Sequence, residues 1–340
     1  MINLGRSITG IATLVVGSAL VLVSASFPAQ GQEVFPSKPL NLVIPYGAGA
    51  GAATDTVARI IAEGLGRDTG QPVIATNRPG ANGMIAVRSI QAAPADGHSF
   101  VILANGIVVE QVLKKSADFD IRRDLIPVAR ASQAPLGLFV SNSLPVNSVG
   151  ELIDYAKKNP GRVNYASAGI GSIAQLTTER FRLAAGLDLV HVPYAGGTGP
   201  ITVAMIAGDV GIFVNEMGSM RSFVAAQKVK VLATLADERS PIFPNAPSVP
   251  ELGIPELRGI FAPFFFGFFV APTTDPARVE RLAWHIENAL KEPATRDRLV
   301  ALGDNPALLG GTTPAEFRKV VEDELKRVEA VVRDAKITLQ

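Results

Sequence analysis

Short apolar runs alternate with amphipathic stretches along the chain, and loops of small residues join one to the next. Leu40 to Ile44 is an apolar run leading into Pro45-Tyr46-Gly47-Ala48-Gly49-Ala50-Gly51-Ala52-Ala53-Thr54-Asp55. An amphipathic pattern leaves this loop at Thr56, with Val57, Ile60, Ile61 and Leu65 on one face. The pattern predicts strand, loop and helix, with Asp55 as the helix N-cap and a helix end near Gly64 and Gly66. A second strand is expected from Val73 to Thr76, a turn-rich loop from Asn77 to Gly83, and a short helix from Met84 to about Ala92. A third strand, Phe100 to Ala104, ends at Asn105-Gly106. Successive units of this kind predict a parallel sheet whose loops share one edge.

Leu125 to Val140 breaks the rhythm: it is mostly apolar, holds Pro127 and Pro135, and reads as a long extended crossing. A second α/β set follows. Ser148 and Glu151 form a capping box for a helix that stops at Asn159-Pro160-Gly161. The expected strands are Val163 to Ala166, Leu189 to Val192, Val210 to Val214 and Val229 to Thr234. Two more small-residue loops lie among them, Ser167 to Ser172 before a helix ending near Gly186, and Pro193 to Gly199. The tail is helical, one helix starting at Asp275-Pro276 and another at Thr313-Pro314 with Glu316 completing a capping box. Phe317, Val320, Val321, Leu325 and Val328 are the expected core face of the last helix, and Trp284 and His285 are expected to be packing and surface residues.

The first loop points to an anion. Between Gly47 and Ala53 no side chain is larger than a methyl group, so another molecule can approach the backbone and meet N–H groups. The helix behind it directs its unpaired N–H groups and partial positive charge to the same spot. The same composition also serves plain tight connections in α/β domains. Two nucleotide motifs are excluded, because Gly51 is followed by Ala52 rather than Lys, and Gly47, Gly49 and Gly51 give G-x-G-x-G rather than G-x-G-x-x-G.

Composition narrows the field. The chain of 340 residues is long enough for two domains, and its 47% hydrophobic and 19% charged residues describe a globular protein. A net charge of +1 without a long basic run argues against nucleic acid as a partner. With no cysteine and only three histidines, His98, His191 and His285, none at metal-ligand spacing, neither a thiol nucleophile nor a metal centre is expected. Neither Ser167 nor Ser172 sits in G-x-S-x-G, and the acidic residues Glu179, Glu280, Glu287, Asp323 and Glu324 are assigned to solvated helix faces. No enzyme activity and no cofactor are expected. Arg6, the apolar segment Ile8 to Val23 and the small residues Ser24, Ala25 and Ser26 have the layout of a secretory signal peptide, too short for a span of ~20 residues. Cleavage is expected between Ala25 and Gln32, giving a soluble, exported mature chain.

Taken as a set, the motifs resemble those of the Bug-type periplasmic receptors of tripartite tricarboxylate transporters. The matching pieces are Pro36-Ser37-Lys38-Pro39, Val43-Ile44-Pro45-Tyr46 with the glycine loop, and Ala53-Thr54-Asp55-Thr56-Val57-Ala58-Arg59. Asn77-Arg78-Pro79-Gly80-Ala81, Asp96-Gly97, Asp124 with Pro127-Val128, Asn164-Tyr165-Ala166-Ser167, His191-Val192-Pro193-Tyr194 and Arg239-Ser240-Pro241 continue the series. The resemblance spans nearly the whole mature chain.

It implies an α/β, two-domain periplasmic-binding-protein fold, type II-like, a Venus flytrap with a hinge of crossing strands. Residues 1–31 would be the leader, 36–137 with 237–340 a discontinuous first domain, and 138–236 the second. The implied ligand is a small organic acid, whether a dicarboxylate, an amino acid or an aromatic acid, and the implied partners are membrane permease subunits. Docking on a signalling receptor, as a periplasmic sensor, is the alternative. The implied ligand-binding residues are Tyr46, Ala48, Gly49, Ala50, Gly51, Ala53, Thr54, Asp55, Asn105, Ala168, Gly169, Ser172, Tyr194, Gly196 and Asn215. The chain departs from the family pattern in a first loop about two residues longer, in Asn215 where many relatives have aspartate, and in Gly211. No arginine clamp is evident, so recognition by amides and water is expected.

Overall fold

Two five-stranded sheets carry the fold, and consecutive strands cross from one to the other. The computed structural model describes residues 35–45, 52–80, 83–114, 118–194, 197–261, 264–303 and 312–338. The leader expected over residues 1–31 lies outside them.

The first sheet begins with β1 (Leu40–Ile44), α1 (Ala52–Thr69), β2 (Val73–Asn77), α2 (Met84–Gln91), β3 (Ser99–Ala104) and α3 (Gly106–Lys114). β1 pairs in parallel with β2 and β3, as the repeated strand–loop–helix pattern requires. After the short α4 (Ile121–Asp124) comes β4 (Ile126–Ala134), the far edge of the sheet. Between β3 and β4 lies β10 (Phe264–Val270), antiparallel to both, so the sheet is mixed rather than wholly parallel. β10 reads Phe-Phe-Phe-Gly-Phe-Phe-Val, apolar on both faces because helices cover both. Its Gly267 makes room for a ring: a Cβ there would lie 2.0 Å from Phe317 Cζ.

β4 ends at Ala134 and β5 (Leu136–Ser141) starts the second sheet, leaving only Pro135 between them. The extended crossing expected from Leu125 to Val140 is therefore two strands in two sheets. The second sheet is built from β5, α5 (Val149–Lys158), β6 (Val163–Ser167), α6 (Ile173–Ala185), β7 (Leu189–Pro193), α7 (Thr198–Ala207), β8 (Ile212–Glu216), α8 (Met217–Ala225) and β9 (Val229–Thr234). β6 is parallel to β7 and β8, and β5 runs antiparallel between β8 and β9. The tail returns to the first sheet as β10, α9 (Pro276–Lys291), α10 (Pro293–Leu302) and α11 (Pro314–Asp334).

Each sheet is covered on both faces. α1, α9 and α10 pack on one face of the first sheet, and α2, α3 and α11 on the other. α5 and α6 cover one face of the second sheet, α7 and α8 the other. Of the predicted core faces, Val57, Ile60, Ile61 and Leu65 on α1 and Phe317, Val321, Leu325 and Val328 on α11 are buried, and Val320 is partly so. Thr313 and Glu316 form the expected capping box of α11, and Asp275 caps α9. At α5, Ser148 accepts from the Glu151 N–H as expected, but the Glu151 carboxylate reaches the N–H of Asn147 rather than that of the cap.

Several expectations change. α1 starts at Ala52, so Asp55 sits in its first turn and is not its N-cap. The helix also runs through Gly64 and Gly66. Gly64 is a packing residue rather than a stop: a Cβ there would come within 2.4 Å of Thr295 Oγ1 and 3.3 Å of Ala289 Cβ. α3, α10 and β10 had no assignment from the pattern. Glu179 and Glu324 are buried rather than solvated. Glu179 accepts from the buried Tyr165 hydroxyl at 2.5 Å and from Arg182 at 2.7 Å, and Tyr165's own proton is held well above its ordinary pKa by burial and this carboxylate. Glu324 on α11 faces Arg180 on α6 at 3.7 Å, a buried pair across the boundary between the two halves. Burial raises the Glu324 pKa and lowers that of Arg180. Leu176 of α6 packs in the same seam, within the core around α3 and α11. Trp284 is 47% exposed beneath the Arg281 guanidinium, while His285 is buried against Asp68.

Candidate functional site

The loops that follow the parallel strands of both sheets all leave from strand C-terminal ends, where N-termini of helices gather. On the first sheet, Tyr46, Ala48, Gly49, Ala50 and Gly51 lie outside the described residues, and Ala53 enters as part of the α1 backbone. Thr54 is buried. Asp55 accepts from Arg59 Nε at 2.8 Å and from Asn77 Nδ2 at 2.7 Å. Arg59 Nη2 also reaches Asn77 Oδ1 at 2.8 Å, closing a three-residue network between α1 and the end of β2. The Arg59 hydrogen bonds hold the Asp55 carboxyl below its usual range, against a smaller opposing effect of burial. Its charge is thus neutralised inside the first half and does not stand free against an anion.

Asn105 closes β3 and is almost wholly buried. Its N–H donates to the Phe265 carbonyl at 3.2 Å. Its side-chain oxygen has no hydrogen-bond partner among the described residues. An unpaired buried acceptor is costly, and this one stands at the C-terminal end of a central strand of the first sheet.

On the second sheet, Ala168, Gly169, Ser172 and Tyr194 come together. The Tyr194 N–H donates to the Ser167 carbonyl at 2.8 Å, joining the loops after β6 and β7. Gly169 and Gly171 have φ of 122° and 80°, which suit glycine alone, and Ser172 caps α6 by accepting from the Gln175 N–H. His191 braces this loop from behind. Its Nε2 lies 2.6 Å from Ser167 Oγ and its Nδ1 3.2 Å from Gln175 Nε2. Ser167 Oγ donates to the Gly169 carbonyl and Gln175 Oε1 accepts from the Gly171 N–H at 2.7 Å. His191 is stacked on Tyr165, and burial lowers its pKa while the charge of Glu179 opposes. Gly196 is outside the described residues. Asn215, at the end of β8, donates to Ser219 Oγ at 2.8 Å and to Thr198 Oγ1 at 3.3 Å, and so ties the starts of α7 and α8 together.

A cavity of about 310 Å³ lies where the strands cross. Thr56 and Val57 of α1, Ser132, Ala134 and Phe266 of the crossing strands, and Ala301 and Leu302 of α10 form one side. Glu216 with Gly218, Ser219 and Arg221 of α8 form the other. Its size suits a small organic molecule. None of the residues expected to bind ligand lines it, but it adjoins two of them, since Thr56 follows Asp55 and Ser219 holds Asn215. Gly218 lets the walls approach: a Cβ there would sit 2.2 Å from the Leu302 carbonyl oxygen. Sequence reasoning missed Thr56, Ser132, Ser219 and Arg221. Arg221 in particular sits mid-helix with no local motif, and it places on the wall the kind of cation that the sequence did not suggest.

Comparison with known proteins identifies one family over most of the chain. BugT of Bordetella pertussis is 31% identical over 323 residues, covering 94% of this chain and 96% of the relative. A structure of an R. palustris protein with adipate is similar at a TM-score of 0.75 and 29% identity, over 89% of this chain and 99% of that one. MatC from Rhodopseudomonas palustris, with bound malate, is similar at a TM-score of 0.70 and 27% identity, over 88% of this chain and 100% of that one. The family model described as tripartite tricarboxylate transporter family receptor matches residues 57–337. With two mixed α/β sheets joined by crossing strands and this match over most of its length, the chain belongs to the tripartite tricarboxylate transporter family of receptors, which bind solutes and are not enzymes.

Proposed function

We propose that this chain is an exported solute-binding protein that captures a small organic acid in the cleft between two lobes and delivers it to a tripartite tricarboxylate-type membrane transporter. The lobes are residues 36–137 with 237–340, and residues 138–236, and the leader at residues 1–31 directs the chain to the periplasm. The observation that carries this reading is the cavity at the strand crossing, whose walls come from α1 and α10 on one side and α8 on the other. A ligand there touches both halves at once, and closing the halves on it adds contacts from each side.

Backbone N–H groups of the loop containing Tyr46, Ala48, Gly49, Ala50 and Gly51, with the 18-residue α1 behind them, receive one carboxylate. The Ala168–Ser172 loop, Tyr194, Gly196 and Asn215 close from the second lobe. Asn105 completes the site with its unpaired side-chain oxygen, which takes a hydrogen bond from the ligand or a trapped water. Two relatives whose structures hold adipate and malate support carboxylates as the ligand class.

The test is a thermal-shift and calorimetric screen of the mature chain against mono- and dicarboxylates, amino acids, aromatic acids and neutral analogues. Saturable stabilisation by one carboxylate class is expected, about 2.7 kcal/mol at a hundredfold excess over Kd. A flat response to every acid, in protein first unfolded and refolded to remove any retained ligand, would refute the carboxylate reading.

A further inference from the structure

We propose that the outer face of α7 is the surface by which this chain docks on the membrane subunits of its transporter, through an apolar and transient contact. The inference rests on the delivery reading above and gives that delivery a surface.

α7 reads Thr-Gly-Pro-Ile-Thr-Val-Ala-Met-Ile-Ala and holds no charged residue. Its inner face, with Ile201, Ala204 and Met205, is buried in the core of the second sheet. The outer face is apolar as well. Val203 is 69% exposed and Ile206 44%, and Pro200 and Ala207 are exposed one turn before and after Val203. A helix apolar on every side belongs inside a structure, whereas a surface helix turns polar residues to water. α9 and α11 do the latter, with the pairs Lys291–Glu287 and Lys319–Asp323 on solvent.

The patch continues onto the edge strand β7. Leu189 packs among the residues of α5 and α6, so its neighbour Val190, 44% exposed, points to the α7 side of the sheet. Val190 pairs with Asn164 of β6, whose Nδ2 donates to the Asp209 carbonyl at 2.8 Å, just beyond the end of α7. Asp209 is exposed there and forms part of a polar rim.

Two observations select the occupant. At ~1.5 Å per residue and ~10 Å across, the 10-residue helix presents a face of ~150 Å² in projection. Even with Val190 beside it, this is far below the ~800 Å² per partner that a stable complex buries. That argues against a permanent second copy and suits a partner that engages and releases. α7 also starts from the loop that carries Tyr194, and Thr198 at its first position accepts from Asn215 Nδ2 at 3.3 Å. A partner seated on α7 thus rests on an element tied to the proposed ligand residues, as a transporter receiving the ligand requires.

The experiment measures Kd of the labelled mature chain, with and without adipate or malate, for nanodiscs holding the membrane subunits of the same organism's tripartite transporter. Empty nanodiscs are the control. The variants are Val203→Glu and Ile206→Glu on α7, and Ile74→Glu, which changes a residue 52% exposed on the edge of the other sheet. Thermal melts verify that each variant folds. Val203→Glu and Ile206→Glu should each weaken docking about tenfold or more, because the carboxylate loses water without gaining a partner. Ile74→Glu should leave docking unchanged, and wild-type docking should vary less than about twofold between low and high salt. Equal docking of Val203→Glu and wild type would overturn the α7 face and leave delivery standing. Equal binding to empty nanodiscs would assign the face to lipid, and a dimer in sedimentation velocity that Val203→Glu dissolves would assign it to a second copy; either overturns the proposal. A wild type that does not dock at all would overturn docking and delivery together, while saturable stabilisation by an acid would still uphold ligand capture.

Discussion

Replacing His191, or protonating it, should loosen the loop from Ser167 to Ser172. Proton positions follow from the network. Gln175 Oε1 accepts from the Gly171 N–H, so the amide nitrogen of Gln175 faces His191 Nδ1 and donates to it. His191 Nε2–H then donates to Ser167 Oγ, whose hydroxyl donates to the Gly169 carbonyl. Every donor meets an acceptor only while the imidazole is neutral. A proton on Nδ1 would oppose the Gln175 amide nitrogen, and turning that amide over would strip Gly171 of its acceptor. Burial also depresses the His191 pKa, with Glu179 opposing. The sign follows: the unfolded chain takes up this proton near pH ~6.5 and the folded chain only at lower pH. The contribution to stability is therefore complete above about pH 6.5 and declines as pH falls below it.

His191→Phe keeps an aromatic ring on Tyr165 but removes two hydrogen bonds and leaves the Gln175 amide without its acceptor. At ~1 kcal/mol per bond and ~1 kcal/mol for the stranded donor, the loss should be about 3 kcal/mol. Over ~300 residues, at ~2.1 cal/mol/K of unfolding entropy each, that corresponds to a fall in Tm of roughly 5 °C. Melts of both proteins at about pH 8 and about pH 5.5 isolate the residue, because every other ionisable group is common to the two. Protection of the Gly169 and Gly171 amides against hydrogen exchange, taken relative to the intrinsic rate at each pH, should fall in the variant at high pH and in the wild type at low pH. If the variant shows the wild-type fall in Tm and unchanged exchange at these amides, the bracing role of His191 is wrong.

Gly267→Ala drives a Cβ into the Phe317 ring and should cost about 1–3 kcal/mol or more by overpacking, read from chemical denaturation. Gly218→Ala meets the Leu302 backbone carbonyl, which cannot rotate away, so α8 must move from α10. Weaker carboxylate binding in a variant that still melts cooperatively is the expected outcome, and unaltered Kd would dissociate this wall from the site. Glu324→Leu alone leaves the buried Arg180 guanidinium without its partner and should lose roughly 3–5 kcal/mol, Arg180→Leu should lose less because Arg327 stays 3.6 Å from Glu324, and the double variant should recover most of the loss. A double-mutant cycle in which the losses simply add would show that the pair is not coupled across the seam. Asp55→Asn should lower stability by no more than about 1 kcal/mol, since Arg59 is half-exposed. The wild-type contribution should vanish as pH falls through the depressed Asp55 pKa, and a pH titration of the difference between the two proteins reads it.

Periodicity and capping residues alone determined most of the elements. The apolar runs at Leu40–Ile44 and Val229–Thr234, the faces of α1 and α11, and the caps at Asp275 and Thr313 are local signals, written within one or two turns of chain. The crossing near Pro135 was legible for the same reason, because a proline-interrupted apolar run cannot be a helix. The loop from Ala168 to Ser172 was legible as a loop, whereas its hydrogen bond to the loop after β7, through the Tyr194 N–H, is a contact between segments. What the chain could not declare locally are relations between distant segments. β10 joins the first sheet from more than a hundred residues away, and Gly64 looks like a helix stop until α9 and α10 pack against it. Glu179 and Glu324 follow the spacing of solvated residues, yet partners on other elements, Tyr165 on β6 and Arg180 on α6, bring them inside. Arg221 is the sharpest case. In sequence it is one more charged helix residue, and only the approach of α8 to α1 and α10 puts it on a cavity wall. Local patterning selects elements because it depends on neighbours along the chain; the site depends on which elements meet, and that is settled by packing across the two sheets.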